Sequence, residues 1–209
     1  MKLLIFGSTG GTGRELVNQA LNLGHSVTAY ARDPAKIEDI QHSNLKVVRG
    51  DVLDTVAVKN AVAGHDAVFV TIGAGPARTT LREEGTRNII ESMQSAGVKR
   101  LICQSSLGVG DSRANLPFFT KHIIVGIFLR HAFADHARQE AVVGQSTLDW
   151  TIVRPPHLKD GPQMKVYRHG FPATDKQIKS WVSRADVADF MLKQLIDDTY
   201  LRQSPGVSN

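Results

Sequence analysis

The sequence predicts the α/β class, with helices packed on both faces of a doubly wound parallel sheet. Short apolar runs alternate with longer segments of helical spacing along the chain, and this alternation is typical of parallel strands joined by crossover helices. The first apolar run ends in a glycine cluster, which is a common junction between the first strand and the first helix of such sheets. The 209 residues are predicted to form one domain over residues 1–209, with a small substrate-side C-terminal part.

The first half of the chain predicts four strands that alternate with three helices. Leu16, Val17 and Ala20 recur at helical spacing after the glycine cluster, and Gly24 is placed to end that helix. Asp54 is predicted to cap the second helix. The strands are predicted at residues 2–6, 26–31, 45–48 and 66–71, and the helices at 12–23, 54–63 and 80–96.

The second half predicts two further strands and two helical segments. The strands cover residues 100–104 and 150–154, and helical spacing extends from 118 to 144. Ser183 and Asp186 resemble a capping box that begins a helix reaching residue 196. The apolar stretch 123–129 is far shorter than the ~20 residues of a membrane span, so it is interpreted as a buried or dimer-facing helix. The last dozen residues are predicted to be irregular.

Composition narrows the class of protein. The formal net charge is +5, but the basic residues are scattered and no run of them is interleaved with aromatic residues. A polyanionic dinucleotide accounts for this charge as well as a nucleic acid does, so no nucleic-acid partner is expected. Cys103 is the single cysteine and is expected to be buried. With no signal-peptide pattern and no internal disulfide, the protein is expected to be cytoplasmic and not membrane-bound, as a monomer or homodimer.

The glycine cluster predicts a phosphate-binding turn. Residues 7–13 read GSTGGTG and lie between a predicted strand and a predicted helix, the context that gives such a motif meaning. The outer glycines permit a tight turn and close helix packing, while the central pair lets the backbone approach a pyrophosphate at the positive end of the helix. A plain glycine-rich turn is the alternative. The predicted phosphate contacts are Gly7, Thr9, Gly10, Gly11, Thr12 and Gly13.

The end of the second strand predicts the choice of dinucleotide. NAD-selective folds place an acidic residue about 20 residues after the turn, where it holds the ribose hydroxyls. Arg32 occupies that position here, and Lys36 follows one helical turn later. A guanidinium can fork onto a 2′-phosphate and the lysine adds charge, whereas Asp33 is expected to cap a turn and point away. The sequence therefore predicts NADP(H) over NAD(H), with a solvated surface arginine as the alternative.

Two further strand ends are predicted to contact the dinucleotide. Asp51 and Val52 follow the third strand, where an adenine ring would lie. Asp51 is expected to accept a hydrogen bond from the adenine amino group or, alternatively, to cap a loop. Ile72 and Gly73 close the fourth strand, and Gly73 lets the backbone approach the ribose or the second phosphate.

Five short motifs together resemble those of the atypical short-chain dehydrogenases/reductases, a Rossmann-like family. Within that group the chain most resembles the biliverdin-IXβ reductases, also called NADPH-dependent flavin reductases. The similarity extends over nearly the whole chain, is close through residue 105, is weaker over 108–135, and returns at 155–157 and 183–186. The motifs are the glycine turn, Arg32-Asp33, Gly50-Asp51-Val52, Glu84-Gly85-Thr86-Arg87-Asn88 and Arg154-Pro155-Pro156-His157.

The resemblance implies NADPH binding and hydride transfer to flavins (FMN, FAD or riboflavin) or to linear tetrapyrroles such as biliverdin. Carried over by position, Ser106 and His157 match the active-site serine and histidine of the family. Ser105, Pro155 and Pro156 are implied contacts of the cofactor. Residues 118–139 depart from the biliverdin-IXβ reductase pattern, which leaves the physiological acceptor open.

The tyrosines argue against ordinary alcohol–ketone chemistry. Classical short-chain dehydrogenases protonate a carbonyl with a tyrosine four residues before a lysine, and none of the three tyrosines here has a lysine at that spacing. A flavin or a bilin delocalises the charge that the hydride brings, so the protein mainly has to juxtapose two planar groups. Ser106 is predicted to orient the nicotinamide or a proton-carrying water, and His157 to hydrogen-bond the cofactor or acceptor. Structural roles in their loops are the alternatives for both residues.

The remaining aromatic and histidine residues permit several interpretations. Phe118 and Phe119 either line a pocket for a flat acceptor or, as helical spacing more often indicates, belong to the core. No metal site is predicted, because His122, His131 and His136 do not share one helical face. The alternative function is that of a non-catalytic NADP(H)-sensing regulator. A nucleotide-sugar epimerase is disfavoured by the missing tyrosine–lysine pair and the short C-terminal part.

Overall fold

The computed structural model describes residues 1–75, 78–172, 175 and 177–209. Its main sheet consists of β1 (Lys2–Phe6), β2 (Ser26–Ala31), β3 (Leu45–Arg49), β4 (Ala67–Val70), β5 (Arg100–Gln104) and β6 (Asp149–Val153). All neighbouring strands of this six-stranded sheet are parallel, in the order β3-β2-β1-β4-β5-β6. The strand order reverses between β1 and β4, and such reversals open a crevice for ligands at the carboxyl ends of the strands.

Helices cover both faces of the sheet. The described residues form α1 (Gly11–Asn22), α2 (Thr55–Val62), α3 (Leu81–Ala96), α4 (Arg130–Gln145) and α5 (Arg184–Lys193). Leu16 and Met191 bring α1 and α5 into one buried cluster on the first face. Val58, Ile89 and Val143 bring α2, α3 and α4 into the cluster on the second face. Two covered faces explain the nearly continuous apolar strands, and the predicted doubly wound α/β architecture is confirmed.

Most element bounds follow from local sequence. The six predicted strands and the first three helices begin and end within one residue of the observed bounds, because apolar runs and turn residues alternate sharply there. Asp54 caps α2 as predicted, with its carboxylate accepting from the N–H groups of Val56 and Ala57. The Ser183 hydroxyl accepts from the N–H of Asp186 at the start of α5, and that helix ends three residues earlier than predicted.

The segment predicted to be helical over residues 118–144 is helical, but it is not one regular α-helix. Thr120–Phe128 forms wider π-helical turns, which the N–H of Leu129 closes by donating to the carbonyl of Ile124 at 2.9 Å. The chain bends at Leu129 and α4 begins at the next residue. Apolar periodicity does not distinguish an i→i+5 from an i→i+4 ladder over two turns. Among the described residues, every helix is too short or too polar to cross a bilayer.

Two small sheets extend the C-terminal half. β7 (His157–Lys159) pairs in parallel with β9 (Trp181–Ser183), and β8 (Arg168–His169) pairs antiparallel with β10 (Val207–Ser208). The segment before β10 also runs alongside β6, through bridges from Gln203 to Thr151 and from Gly206 to Arg154. The prediction of irregular structure after residue 197 is therefore wrong for this segment. Backbone pairing with β6 orders it without any apolar alternation.

Candidate dinucleotide-binding site

The turn after β1 has a conformation that requires glycine at two positions. Gly7 has φ +81°, in the left-handed region where a Cβ causes strain. The N–H of Gly10 donates to the carbonyl of Gly7 at 3.0 Å and closes the turn. A Cβ on Gly13 would overlap the same carbonyl oxygen. The outer glycines of the cluster therefore set the shape of the turn and the approach of α1.

The N-terminus of α1 differs from those of its neighbours. Asp54 caps α2, Ser183 caps α5, and Asp135 of α4 accepts from two N–H groups at the start of α3. The cap position of α1 is Gly10, so α1 has no side-chain cap, and its first turn contains no acidic residue. An uncapped N-terminus presents amide groups and the positive end of the helix dipole. This arrangement favours an anion at the turn.

A buried tyrosine supports the turn from the second strand. The rings of Tyr30 and Phe6 lie 4.8 Å apart, and the Tyr30 hydroxyl donates to the carbonyl of Asp51 at 3.1 Å. A Cβ on Gly50 would overlap that hydroxyl. Burial raises the pKa of Tyr30 to about 12. The hydroxyl therefore stays protonated and holds the ends of β2 and β3 together.

A cavity of about 210 Å³ lies where the strand order reverses. It joins the glycine turn to the ends of β2, β3 and β4, so one elongated ligand can contact all of them. Gly11, Thr12, Gly13, Asp51, Ser105, Pro155 and Pro156 lie outside its lining. The cavity brings together the predicted contacts Gly7, Thr9, Gly10, Arg32, Lys36, Val52, Ile72 and Gly73.

The basic residues after β2 line the outer part of the cavity. Arg32 is exposed and forms no ion pair within the described ranges. Lys36 Nζ lies 4.0 Å from the carboxylate of Asp33, which is not part of the lining. The expectation that Asp33 caps the next turn is wrong, because its side chain makes no capping hydrogen bond. Arg14 of α1 donates to the carbonyl of Lys36 and holds this turn against the first helix.

The motif at residues 84–88 contacts the loop after β3. One carboxylate oxygen of Asp51 accepts from the N–H of Leu53 at 2.9 Å, which matches the loop-capping alternative for this residue. Val52 packs on α3, where a Cβ on Gly85 would lie 2.7 Å from its Cγ2 atom. Asn88 donates to the carbonyl of Val52 at 2.9 Å. The motif at residues 84–88 therefore positions the cavity wall.

Ser105 and Ser106 follow β5 at the same edge of the sheet. The N–H groups of Ser105 and Leu107 donate to the carbonyls of Val153 and Pro155, both at 2.8 Å, and extend the strand pairing past β5. The Ser106 hydroxyl donates to the carbonyl of Leu107 at 3.3 Å. The Ser105 hydroxyl is buried without a partner in the described ranges. Ser106 therefore holds only a long local hydrogen bond that a ligand can replace.

His157 begins the small sheet beyond β6. Pro155 is buried and Pro156 is partly exposed, and neither can donate a backbone hydrogen bond. The N–H of His157 donates to the carbonyl of Ser180 at 3.1 Å. Its exposed imidazole makes no hydrogen bond or ion pair within the described part of the chain. The histidine therefore lies at the start of β7, and both of its ring nitrogens can bond to a ligand.

All three tyrosine hydroxyls have partners of their own. Tyr30 donates to a backbone carbonyl, and the Tyr200 hydroxyl lies 2.8 Å from His169 Nδ1. Tyr167 donates to the carboxylate of Asp189 at 2.5 Å, while Lys193 Nζ lies 2.8 Å from the same hydroxyl. Burial and the nearby Asp189 charge raise the pKa of Tyr167, and burial raises the pKa of Tyr200. None of them is poised as a proton donor at the carboxyl edge.

The sequence did not indicate an ion pair that lies just after β6. Arg154 is buried at the end of β6, and its guanidinium donates to Glu140 of α4 at 2.9 and 2.6 Å. A third donor reaches the exposed Asp111 at 2.6 Å. Both partners lie far from Arg154 along the chain, so no local pattern indicates them. The pair holds α4 against the strand that leads to His157.

The aromatic residues before α4 are exposed. Phe118 and Phe119 are 78% and 64% exposed, so their interpretation as core residues is wrong. Val125 is buried, but Ile127 and Phe128 are exposed, and the buried interpretation of this apolar stretch is wrong for those two. The four exposed residues give this segment an apolar surface.

The fold and the glycine turn define an NAD(P)H-binding protein of the Rossmann type. The chain belongs to the family described as NAD(P)H-binding, whose sequence model matches residues 7–198. A curated relative, the photosystem II assembly factor Ycf39 of Synechocystis sp., is 26% identical over 98% of this chain and 61% of its own length. The chain spans about three fifths of the length of the first such relatives.

Solved structures share the fold over the whole chain. A short-chain dehydrogenase/reductase of Veillonella parvula, in complex with NADP, superposes with a TM-score of 0.85 at 22% identity and covers 100% of this chain and 94% of its own. ChuY of Escherichia coli O157:H7, described as an anaerobillin reductase, has a TM-score of 0.82 at 24% identity over 100% and 97% of the two chains. Proteins of similar fold therefore include oxidoreductases and an NADP complex.

Proposed function

We propose that this protein is an NADPH-dependent reductase that transfers a hydride to a flavin or to a linear tetrapyrrole. The observation that carries the proposal is that an uncapped glycine turn and Arg32 line the same cavity. The family membership supplies the class of cofactor.

The residues present fit a phosphorylated dinucleotide. The turn leaves no room for a Cβ at Gly13, and the adjoining N-terminus of α1 offers amide donors to a diphosphate. Arg32 would fork onto the 2′-phosphate, and Lys36 would add charge beside it. Among the described residues, no acidic side chain takes part in the lining of this cavity. That combination favours NADPH over NADH, since a carboxylate is the usual partner of the free ribose hydroxyls.

The acceptor side favours a conjugated acceptor. NADPH supplies a hydride when bound at this edge of the sheet. Ser106 and His157 follow β5 and β6 and would orient the two rings or carry a proton through water. Since the three tyrosines have raised pKa values, an acceptor that delocalises charge suits the site better than a simple ketone. A protein of the same fold is described as an anaerobillin reductase, which supports a bilin as one acceptor.

A turnover assay tests this proposal. Purified protein is mixed with NADPH and, in separate reactions, with FMN, FAD, riboflavin or biliverdin, and NADPH oxidation is followed by absorbance. We expect at least one acceptor to give oxidation well above the protein-free rate, and NADH to be used less well. Tight NADPH binding without turnover of any acceptor would contradict the reductase and support a non-catalytic NADP(H) sensor.

A further inference from the structure

Arg184, the first residue of α5, lies against the glycine turn. A Cβ on Gly11 would overlap the Cδ atom of Arg184 and lie 2.6 Å from its Nε. The side chain of Arg184 therefore crosses the first residue of α1. Gln19 of α1 donates to the carbonyl of Ala185 at 2.9 Å and holds the two helices side by side. The first turn of α5 therefore packs along α1, and the Arg184 side chain reaches the first residue of α1.

Positive charge at this position is poorly balanced. Acidic residues are the favourable choice in the first turn of a helix, yet α5 begins with an arginine beside the uncapped N-terminus of α1. Asp186, in the first turn of α5, is buried and accepts from the N–H groups of residues 164 and 165. Asp160 is the carboxylate bonded to Arg184, at 2.6 Å, and its side chain is 92% exposed. Ser183 and Asp186 serve the N-terminus of α5 itself. Among the described residues, the uncapped N-terminus of α1 and the Arg184 guanidinium are therefore balanced by the exposed Asp160.

We propose that Arg184 is a second arginine of the cofactor site and binds the diphosphate of the dinucleotide. Its guanidinium would exchange Asp160 for two phosphate oxygens, in the forked geometry that suits planar recognition of phosphate. This inference rests on the NADPH site of the proposed function. Arg32 then distinguishes NADPH from NADH, whereas Arg184 contributes to the binding of both because both carry the diphosphate.

The exchange requires little rearrangement. Exposed ion pairs contribute little to stability because water screens them, so the Asp160–Arg184 pair is easily replaced. The stem of Arg184 is held by Gly11, and the amide groups of the α1 N-terminus are adjacent. A diphosphate at the turn would therefore meet backbone donors on one side and a pre-positioned guanidinium on the other.

Calorimetric titration of the full chain with two probes tests the assignment. NADP⁺ carries the diphosphate, whereas adenosine 2′-monophosphate carries only the group assigned to Arg32. Arg184→Met retains an apolar stem over Gly11, and we expect it to bind NADP⁺ about 10- to 100-fold more weakly. Its affinity for adenosine 2′-monophosphate should stay the same. In the matched control, Arg32→Met, the affinity for both probes should fall.

The outcomes separate this inference from the proposed function. Wild-type protein that does not bind NADP⁺ contradicts the proposed function itself. Wild-type binding together with an unchanged affinity in Arg184→Met overturns only the role of Arg184, and so does an equal loss for both probes.

The exposed position of Asp160 offers a second variant that does not depend on how Arg184→Met folds. Asp160→Asn should bind NADP⁺ about two- to five-fold more tightly, since it removes the competing ion pair, and should bind adenosine 2′-monophosphate as the wild type does. Unchanged or weaker NADP⁺ binding by Asp160→Asn overturns the role of Arg184.

Discussion

The proposed dinucleotide side, at the ends of β1 to β3, and the proposed acceptor side, at the ends of β5 and β6, are built by different means. On the dinucleotide side, the ends of β1 to β3 are shaped by backbone geometry, with a left-handed Gly7 and a hydrogen bond from Gly10 that closes the turn. On the acceptor side, the ends of β5 and β6 are held by buried charged groups, above all Arg154 with Glu140. The first side depends mainly on the backbone conformation of one turn, and the second depends on side-chain ion pairs between separate elements.

This difference separates two requirements of the site. A backbone-built turn has one shape and suits a ligand of constant structure, such as a diphosphate. On the proposed acceptor side, the ion pairs of Arg154 hold α4 and the end of β6 in place. Cofactor binding and scaffold stability should therefore respond to different mutations.

The largest effect is expected from breaking the acceptor-side ion pair. Glu140→Gln leaves the buried Arg154 guanidinium without its main counterion and should lower the free energy of unfolding by about 3–5 kcal/mol. Asp111→Asn is the matched control, since Asp111 is the exposed partner of the same guanidinium and should cost less than about 1 kcal/mol. Urea denaturation measures both. Similar losses in the two variants would contradict a buried, scaffold-holding pair.

A pH dependence of stability should also arise on the acceptor side. Burial, with the nearby Arg82 cation, lowers the pKa of His136 to about 4, below its ordinary value of ~6.5 in an unfolded chain. The folded state thus disfavours protonation, so this contribution is complete above pH ~6.5 and is lost as the pH falls through about 4. Its size is about 3 kcal/mol.

Comparison of wild-type protein with His136→Gln isolates this contribution. Urea denaturation between pH 7 and 4 should show a steeper loss of stability for the wild type. The remaining titratable groups are the same in both proteins, so the difference between the two profiles reports His136. Parallel pH profiles for the two proteins would show that His136 titrates alike in the folded and unfolded chains.

On the dinucleotide side, Arg32→Met should change selectivity without affecting stability. Loss of a charge-assisted fork onto the 2′-phosphate should weaken NADP⁺ binding by about 1.5–3 kcal/mol, or ~10- to 100-fold. Binding of NAD⁺ should stay the same, because NAD⁺ lacks that phosphate. Calorimetric titration measures both affinities. An equal loss of affinity for the two dinucleotides would contradict the assignment of Arg32 to the 2′-phosphate.

The smallest effect is expected at Ser106. Its hydroxyl makes one long hydrogen bond to Leu107, and a delocalising acceptor needs little help from a proton donor. Ser106→Ala should therefore lower kcat for flavin reduction by about tenfold or less, or ~1 kcal/mol, with unchanged NADP⁺ affinity. A loss of kcat above a hundredfold would contradict this prediction and identify Ser106 as an essential group for the reaction.

The dinucleotide side could be predicted from the sequence because its determinants are local. Three features depend only on residues close to them in the sequence. They are the glycine spacing at residues 7–13, the position of Arg32 after β2 and the cap at Asp54. Local chemistry of this kind leaves a pattern of fixed spacing, so the strands, the first helices and part of the cavity lining agree with what the spacing indicates.

Only the tertiary structure decided the pairings across the chain. Arg184 on Gly11, Glu140 on Arg154 and Asp135 at the start of α3 join residues from distant segments. The tertiary structure also decided which apolar residues of 118–128 are exposed. The residues next to a charged or apolar side chain do not indicate which remote residue it contacts, because that contact depends on how the helices and strands pack together. The sequence alone determined where a cofactor phosphate is favoured, and the fold determined which distant side chains surround it.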